Sequence, residues 1–361
     1  MRAYAWTLGL LVAAIVLVNA TATWIQAGRD VAVCAMAAQL RPGFVVADYR
    51  NVDERCFQMT RLAVIPAPRM VAFGSSRIMQ LTSAAAGLGP GEFYNVGMSG
   101  ATIEDFVAMW RGLERSNKIP PVVVIGIDPW TLGARQTHLR WMRLAEQVED
   151  YLPVGPVQHA TYHWYRLKEL VSFAVLPETM GGLRRWAREQ ASGEGSRGPV
   201  ITTEADRTGR QTVRADGSLL YERTYVLRPL DERRRAAVRY ATRLAGDLRE
   251  FRWSDERAAL LVRLWGEMRQ RGSTVLVFVA PYHPMAWRLL REHLDPDQPM
   301  GIGVRSLRDS ARRLGVLFED VSDPDRIPCP EAEFLDGDHA TAECLGRVVA
   351  RLVLHRPDPR N

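Results

Sequence analysis

The chain has 361 residues, 47% hydrophobic and 24% charged, a normal balance for a globular protein with material for one large domain or two ordinary ones. Its net charge of +6 and pI near 9.3 would suit an anionic partner such as phospholipid headgroups, nucleic acid or an acidic glycan. The 47 basic residues are nonetheless interleaved with 41 acidic ones, as in Arg111, Glu114 and Arg115, so the charge reads as a solvated surface and no nucleic-acid partner is expected.

Residues 3–25 carry no charge, and residues 8–18 are almost continuously aliphatic. Such a stretch, at about 1.5 Å per residue, is long enough to cross a hydrocarbon core of about 30 Å. Arg2 precedes it, and Trp6 and Trp24 sit near its ends, where indoles favour the headgroup layer. Positive charge ahead of a span favours a cytoplasmic N-terminus. The expectation is a single-pass anchor over residues 1–28 in the inner (cytoplasmic) membrane, with the remainder in the periplasm or extracytoplasmic space. A cleaved signal peptide ending near Ala20-Thr21-Ala22 is the competing reading. The four cysteines suit an exported chain: they permit disulfides, most economically Cys34–Cys56 and Cys329–Cys344, or they are four buried thiols.

A membrane-proximal segment follows over residues 29–68, with helical spacing around Val31 and Leu40, and Pro66-Ala67-Pro68 punctuates the chain. Strands and helices then alternate. Met70-Val71-Ala72-Phe73 is a short apolar run ending in Gly74-Ser75-Ser76. A second run, residues 93–96, ends in a Gly-rich turn ahead of a helix over residues 103–113. Residues 121–127 (PVVVIGI) are apolar throughout, as in a strand covered on both faces.

From about 133 to 251 the pattern breaks into a stretch rich in Arg, Trp and Tyr, too long for one connection, and an inserted cap is expected. Its Trp141, Trp164 and Trp186 read as core residues, with sugar stacking or membrane packing as alternatives. The alternation resumes with a helix capped by Ser254, with Leu260, Leu261, Leu264 and Met268 on one face. Then come a strand over residues 274–280, helices near 284–294 and 302–314, a strand near 316–321 and a helix after His339. The predicted class is α/β: a mainly parallel sheet with helices on both faces, over residues 69–361 with the insertion inside it.

Three short motifs carry chemistry. Ser76 lies at the carboxyl end of the first strand, where ligand sites of parallel sheets gather, and a helix starting there would add backbone N–H groups and a positive end. Asn95-Val96-Gly97-Met98-Ser99-Gly100 follows the second strand, and Gly100 can present its N–H to a developing oxyanion. Asp336-Gly337-Asp338-His339 spaces a carboxylate three residues before an imidazole, so that the acid can hold one ring nitrogen while the other faces a serine hydroxyl. A metal reading of this acidic cluster has no further ligand group behind it, and no metal or other cofactor is expected.

The order of the three motifs resembles the SGNH/GDSL hydrolase superfamily. That resemblance implies a three-layer, flavodoxin-like fold with Ser76 as nucleophile, His339 as base and Asp336 as its orienting acid. Ser76 and Gly100 would supply oxyanion N–H groups. The family's oxyanion asparagine is replaced by Asp128 in Gly126-Ile127-Asp128-Pro129, where an ionised carboxylate would repel an oxyanion, so that it must be protonated, turned away or put to another use. Arg77, Asp128, Tyr282 and His283 are further residues expected to line the site.

The anchor, the insertion and the Gly-Ser-Ser form are similar to the branch that serves polysaccharide O-acetylation and teichoic-acid D-alanylation. This implies an acyltransferase or esterase acting on O-acyl groups of a cell-surface polysaccharide, beside a multi-spanning membrane O-acyltransferase. An inactive SGNH-fold component of such a complex, and a lipid-directed esterase, are the other readings.

Overall fold

The computed structural model describes residues 2–50, 52–134, 139–152, 155–171, 179–181, 183, 184, 187, 191, 199–207, 209–295 and 297–355. Helix α1 (Arg2–Gln39) runs unbroken from the apolar N-terminal stretch into the segment expected to follow it. It includes a helix long and apolar enough to cross a membrane. At about 1.5 Å per residue, its 38 residues reach about 57 Å, well beyond a hydrocarbon core. The far part is anchored in protein: Val33, Ala37 and Leu40 are buried, and Cys34 is joined to Cys56 of helix α2 (Glu54–Val64).

Five parallel strands form the central sheet: β2 (Met70–Phe73), β3 (Phe93–Asn95), β4 (Val122–Ile127), β8 (Thr274–Val279) and β9 (Leu317–Asp320), in the order β3-β2-β4-β8-β9. The continuous apolar runs of β4 and β8 follow from burial on both faces. Alternate side chains enter two cores. Val123, Ile125, Val275 and Val277 pack with helix α3 (Ile103–Arg115) and the helices Asp255–Gln270 and Pro299–Arg313. Val124, Leu276 and Phe278 pack with the C-terminal helix Ala342–Leu354. The second core also holds the Cys329–Cys344 disulfide. Ser254 caps its helix by accepting from the Arg257 N–H, and Leu261, Leu264 and Met268 are buried while Leu260 is only half-buried.

The expected insertion does not stand alone. Its strands β5 (Val200–Thr203), β6 (Thr212–Arg214) and β7 (Leu219–Leu220) form an antiparallel sheet with β1 (Phe44–Ala47), in the order β5-β1-β6-β7. A strand from just after α1 thus completes this sheet. The β6–β7 turn docks on the carboxyl end of β3: the Asn95 N–H donates to Asp216 O at 2.7 Å, and a Cβ at Gly217, whose φ is +80°, would fall 2.1 Å from Asn95 O. Of the insertion's tryptophans, Trp141 packs half-buried against the main core. Trp164 is 57% exposed, contrary to the core reading, and Trp186 lies outside the described residues.

A buried ion pair joins the segment that follows α1 to the sheet layer. Arg55 of α2 donates from Nε and Nη2 to the two carboxylate oxygens of Asp105 at 2.8 and 2.7 Å, where Asp105 also closes the capping box of α3. Removing one partner of a buried pair strands the other charge, so Arg55→Met is expected to cost about 3–5 kcal/mol. Urea unfolding of the detergent-solubilised full chain measures this, and a loss under about 1 kcal/mol would show that the pair is not structural.

Candidate active site

The chain leaves β2 at Phe73 and turns sharply. A Cβ on Gly74, Gly97 or Gly126 would sit 2.7, 3.2 or 2.4 Å from the Ile78 side chain, so these three glycines make the seat in which Ile78 rests. The backbone they admit is a single 3-10 turn, Ser76–Ile78, rather than the expected helix. The reason lies in neighbouring hydrogen bonds. Asn95 Nδ2 donates to Ile78 O at 2.8 Å and to Leu81 O at 2.9 Å, and the Leu219 N–H donates to Met79 O, so bonds from two other strands hold the chain in this turn. A turn this short has little macrodipole, which leaves local N–H groups as the source of positive potential beside Ser76.

The two other expected triad members meet that turn. Ser76 Oγ lies 2.9 Å from His339 Nε2, and His339 Nδ1 lies 3.0 and 2.9 Å from the two oxygens of Asp336. The backbone N–H groups of Asp338 and His339 donate to Asp336 Oδ1 at 3.1 and 3.0 Å, which fixes the carboxylate within its own loop. The His339 and Asp336 side chains are 19% and 17% exposed, so the unit is shielded yet open to a small reactant. Gly100 takes the left-handed conformation, φ +59°. Among the described residues, neither its N–H nor that of Ser76 has a hydrogen-bond partner.

The four residues expected to line the site lie beneath it instead. Arg77, Asp128, Tyr282 and His283 are all buried. Arg77 Nη1 donates to Asp128 Oδ1 at 2.6 Å, its Nη2 to Ala280 O and Pro281 O at 2.7 Å each, and its Nε to Asp338 O at 3.3 Å, while the guanidinium lies 4.0 Å from the centre of the Tyr282 ring. The other Asp128 oxygen accepts from the Ser75 hydroxyl. Asp128 is therefore turned into a neutralised network and is no oxyanion group. Burial alone would weaken the charge on Arg77, but Asp128, together with Tyr282, Tyr240 and Asp338, outweighs it and keeps the guanidinium protonated. His283 caps the helix Pro284–Leu290, its Nδ1 accepting from the Met285 N–H at 3.1 Å.

Three side chains that sequence reasoning missed complete the surroundings. Tyr225, in the short helix Arg223–Val226, donates its hydroxyl to Asp336 Oδ2. The Tyr221 ring stands edge-on to His339, with centroids 5.7 Å apart. Glu54, the first residue of α2, accepts from both the N–H and the hydroxyl of Ser99, the latter at 2.9 Å, and so holds the turn preceding Gly100. None of these partners is near in sequence. The detectable signal was only the clustering of Tyr in the insertion.

Electrostatics follow from this packing. Burial works against the Asp336 carboxylate, but the imidazole of His339 and the Tyr225 hydroxyl hold it well below the usual carboxylate range. Burial would likewise lower His339, yet the Asp338 and Asp336 carboxylates override it and raise the imidazole to about 9. Asp338, 3.4 Å from His339 Nδ1, is itself pushed up by burial to about 6. Asp336, Asp338 and His339 could also converge on a cation, but the hydrogen bonds to His339 and from the loop N–H groups already occupy Asp336.

No protein-family model matches the chain, and no curated protein is similar to it in sequence.

The carboxylates set the sign of a titration. An imidazole raised above its ordinary value stays protonated until the pH passes about 9. Removing the negative charge of Asp338 must lower that midpoint. NMR titration of His339 is expected to show a downward shift in Asp338→Asn; an unchanged or higher midpoint would contradict the assignment.

Proposed function

We propose that this chain is a membrane-anchored, extracytoplasmic serine acyltransferase or esterase of SGNH type that handles O-acyl groups, acetyl above all, on a cell-surface polysaccharide. One observation carries the reading: the continuous hydrogen-bonded line from Ser76 Oγ through His339 to Asp336, assembled from residues more than 250 positions apart. The strand order supports it too. Counted along the chain within the parallel sheet, it is 2-1-3-4-5, the flavodoxin-like order, in which ligands sit at the carboxyl ends of strands.

The chemistry is that of an acyl-serine intermediate. His339 in its neutral form takes the Ser76 proton as Oγ attacks the acyl carbonyl, and Asp336 steadies the imidazolium that results. The free N–H groups of Ser76 and Gly100 serve the tetrahedral oxyanion. Collapse expels the donor alkoxide, which His339 protonates, and an incoming hydroxyl or water repeats the sequence in reverse. An imidazole raised to about 9 makes a weak resting base near neutrality, so the rate is expected to climb as pH rises toward that value. The reading of an inactive family member leaned on Asp128 and on the rule that a fold does not fix a function; the pairing of Asp128 with Arg77 and Ser75 supports the catalytic reading over it. Membrane anchoring with the N-terminus inside the cytoplasm, and work beside a multi-spanning acyltransferase, belong to the same proposal.

A fluorophosphonate probe offers the direct test. The full chain is expected to be labelled at Ser76, and Ser76→Ala to lose both the label and about 10⁴-fold or more of its acetylesterase or acetyl-transfer rate. Full activity in Ser76→Ala would end the proposal.

A further inference from the structure

We infer that the helix Pro156–Val171, here α5 after the short α4 (Ala145–Val148), is a second membrane-contacting element. It is an interfacial helix whose stripe of Val157, Trp164 and Leu167 enters the headgroup layer of the bilayer that α1 crosses. The inference rests on the reading of α1 as an anchor.

Three observations carry it. First, Val157, Trp164 and Leu167 are 75%, 57% and 56% exposed, comparable to Trp6, Leu17 and Trp24 of the anchor at 75%, 68% and 76%. At about 100° per residue the three fall within an arc of about 80°, and the exposed Ala160 falls in the same arc. The half-buried His159 and Tyr162 mark a different side of the helix.

Second, α5 packs along α1 rather than standing apart from it. Its level along α1 can be read from Arg143, which pairs with Asp30 of α1 at 3.3 Å and is held in its charged form against burial by Asp53 and Asp30, with Tyr162 of α5 close enough to contribute. Asp30 lies six residues, about 9 Å of helix, beyond Trp24, which is the scale of the layer between hydrocarbon and bulk water.

Third, Lys168 lies 5.4 Å from the Trp164 ring centre, so its ammonium can reach phosphate while its stem covers the apolar stripe. Indole, aliphatic stripe and flanking amine together are the chemistry of an interfacial helix. An anchor of one helix leaves the domain free to swivel. A second contact fixes its tilt, and with it the direction in which the Ser76 cleft faces.

The test uses the full chain reconstituted in phosphatidylglycerol–phosphatidylethanolamine vesicles. All four native cysteines are in disulfides, so a single introduced cysteine carries an environment-sensitive fluorophore. Labels are placed at Trp164→Cys, at Val157→Cys, at Leu17→Cys in the anchor, and at Arg312→Cys as an exposed control. Labels at 164 and 157 are expected to be quenched by lipid-borne nitroxide and to be at least about fivefold less accessible to iodide than the label at 312. If 164 and 157 are as accessible as 312 while 17 is lipid-protected, the anchor stands and the proposal for α5 fails. If 17 is also open to iodide, both fail.

Discussion

The guanidinium of Arg77 ties the turn that presents Ser76 to the ends of two neighbouring strands and to the loop that carries His339. It projects from the turn that presents Ser76 and reaches the end of β4 through Asp128, the end of β8 through the carbonyls of Ala280 and Pro281, and the histidine loop through the carbonyl of Asp338. A planar fork with fixed donors can satisfy so many acceptors at once only if they are already in the right places, so each contact constrains the others. Burying it without Asp128 would leave a bare charge. With Asp128, Ser75 gains an acceptor and the serine turn is tied to the neighbouring strand. The residue that looked like a fault in an oxyanion hole is the counter-ion of the residue that holds the site together.

A second constraint runs from α1 to the segment around Tyr225. Arg29 of α1 pairs with Asp48 at 3.0 Å, Arg50 reaches both Asp48 and Glu222, and three residues past Glu222 the hydroxyl of Tyr225 meets Asp336. Asp48 holds a left-handed φ of +61°, a conformation costly for a residue with a side chain, and its two arginine partners help keep it there. Since β1 is the strand on which β5 and β6 assemble, the segment that carries Tyr221 and Tyr225 depends on chain from just beyond α1. The antiparallel sheet and the segment that follows α1 are one structure, and Asp336 leans on it through Tyr225.

Much of this was legible in the sequence and some was not. The apolar runs at 70–73, 122–127 and 274–279 could only be strands buried on both sides, and the motif residues at their ends had to gather at one edge of a parallel sheet. That Ser76 and His339 meet was implied by the resemblance rather than by the strand pattern, since His339 lies 19 residues beyond the end of β9. The pairing of Arg77 with Asp128 was within reach, because opposite charges stand at the carboxyl ends of adjacent strands. The 3-10 turn at Ser76 was not, since Asn95 holds it from another strand. Tyr225 lies 111 residues from Asp336, and Glu54 lies 45 from Ser99. No local pattern links them. The insertion's strands were hidden because their partner, β1, lies over 150 residues earlier.

Labelling of Ser76 by a fluorophosphonate in Arg77→Lys tests the central dependence most directly. Lysine keeps the charge near Asp128 but cannot reach four acceptors from a fixed fork, so the serine turn and the histidine loop should lose their common tie. In protein that retains its folded circular dichroism, the labelling rate is expected to drop by about 100-fold, in line with small displacements in positioned reactions. A rate equal to that of the unaltered chain would show that Ser76 and His339 are brought together by something other than Arg77.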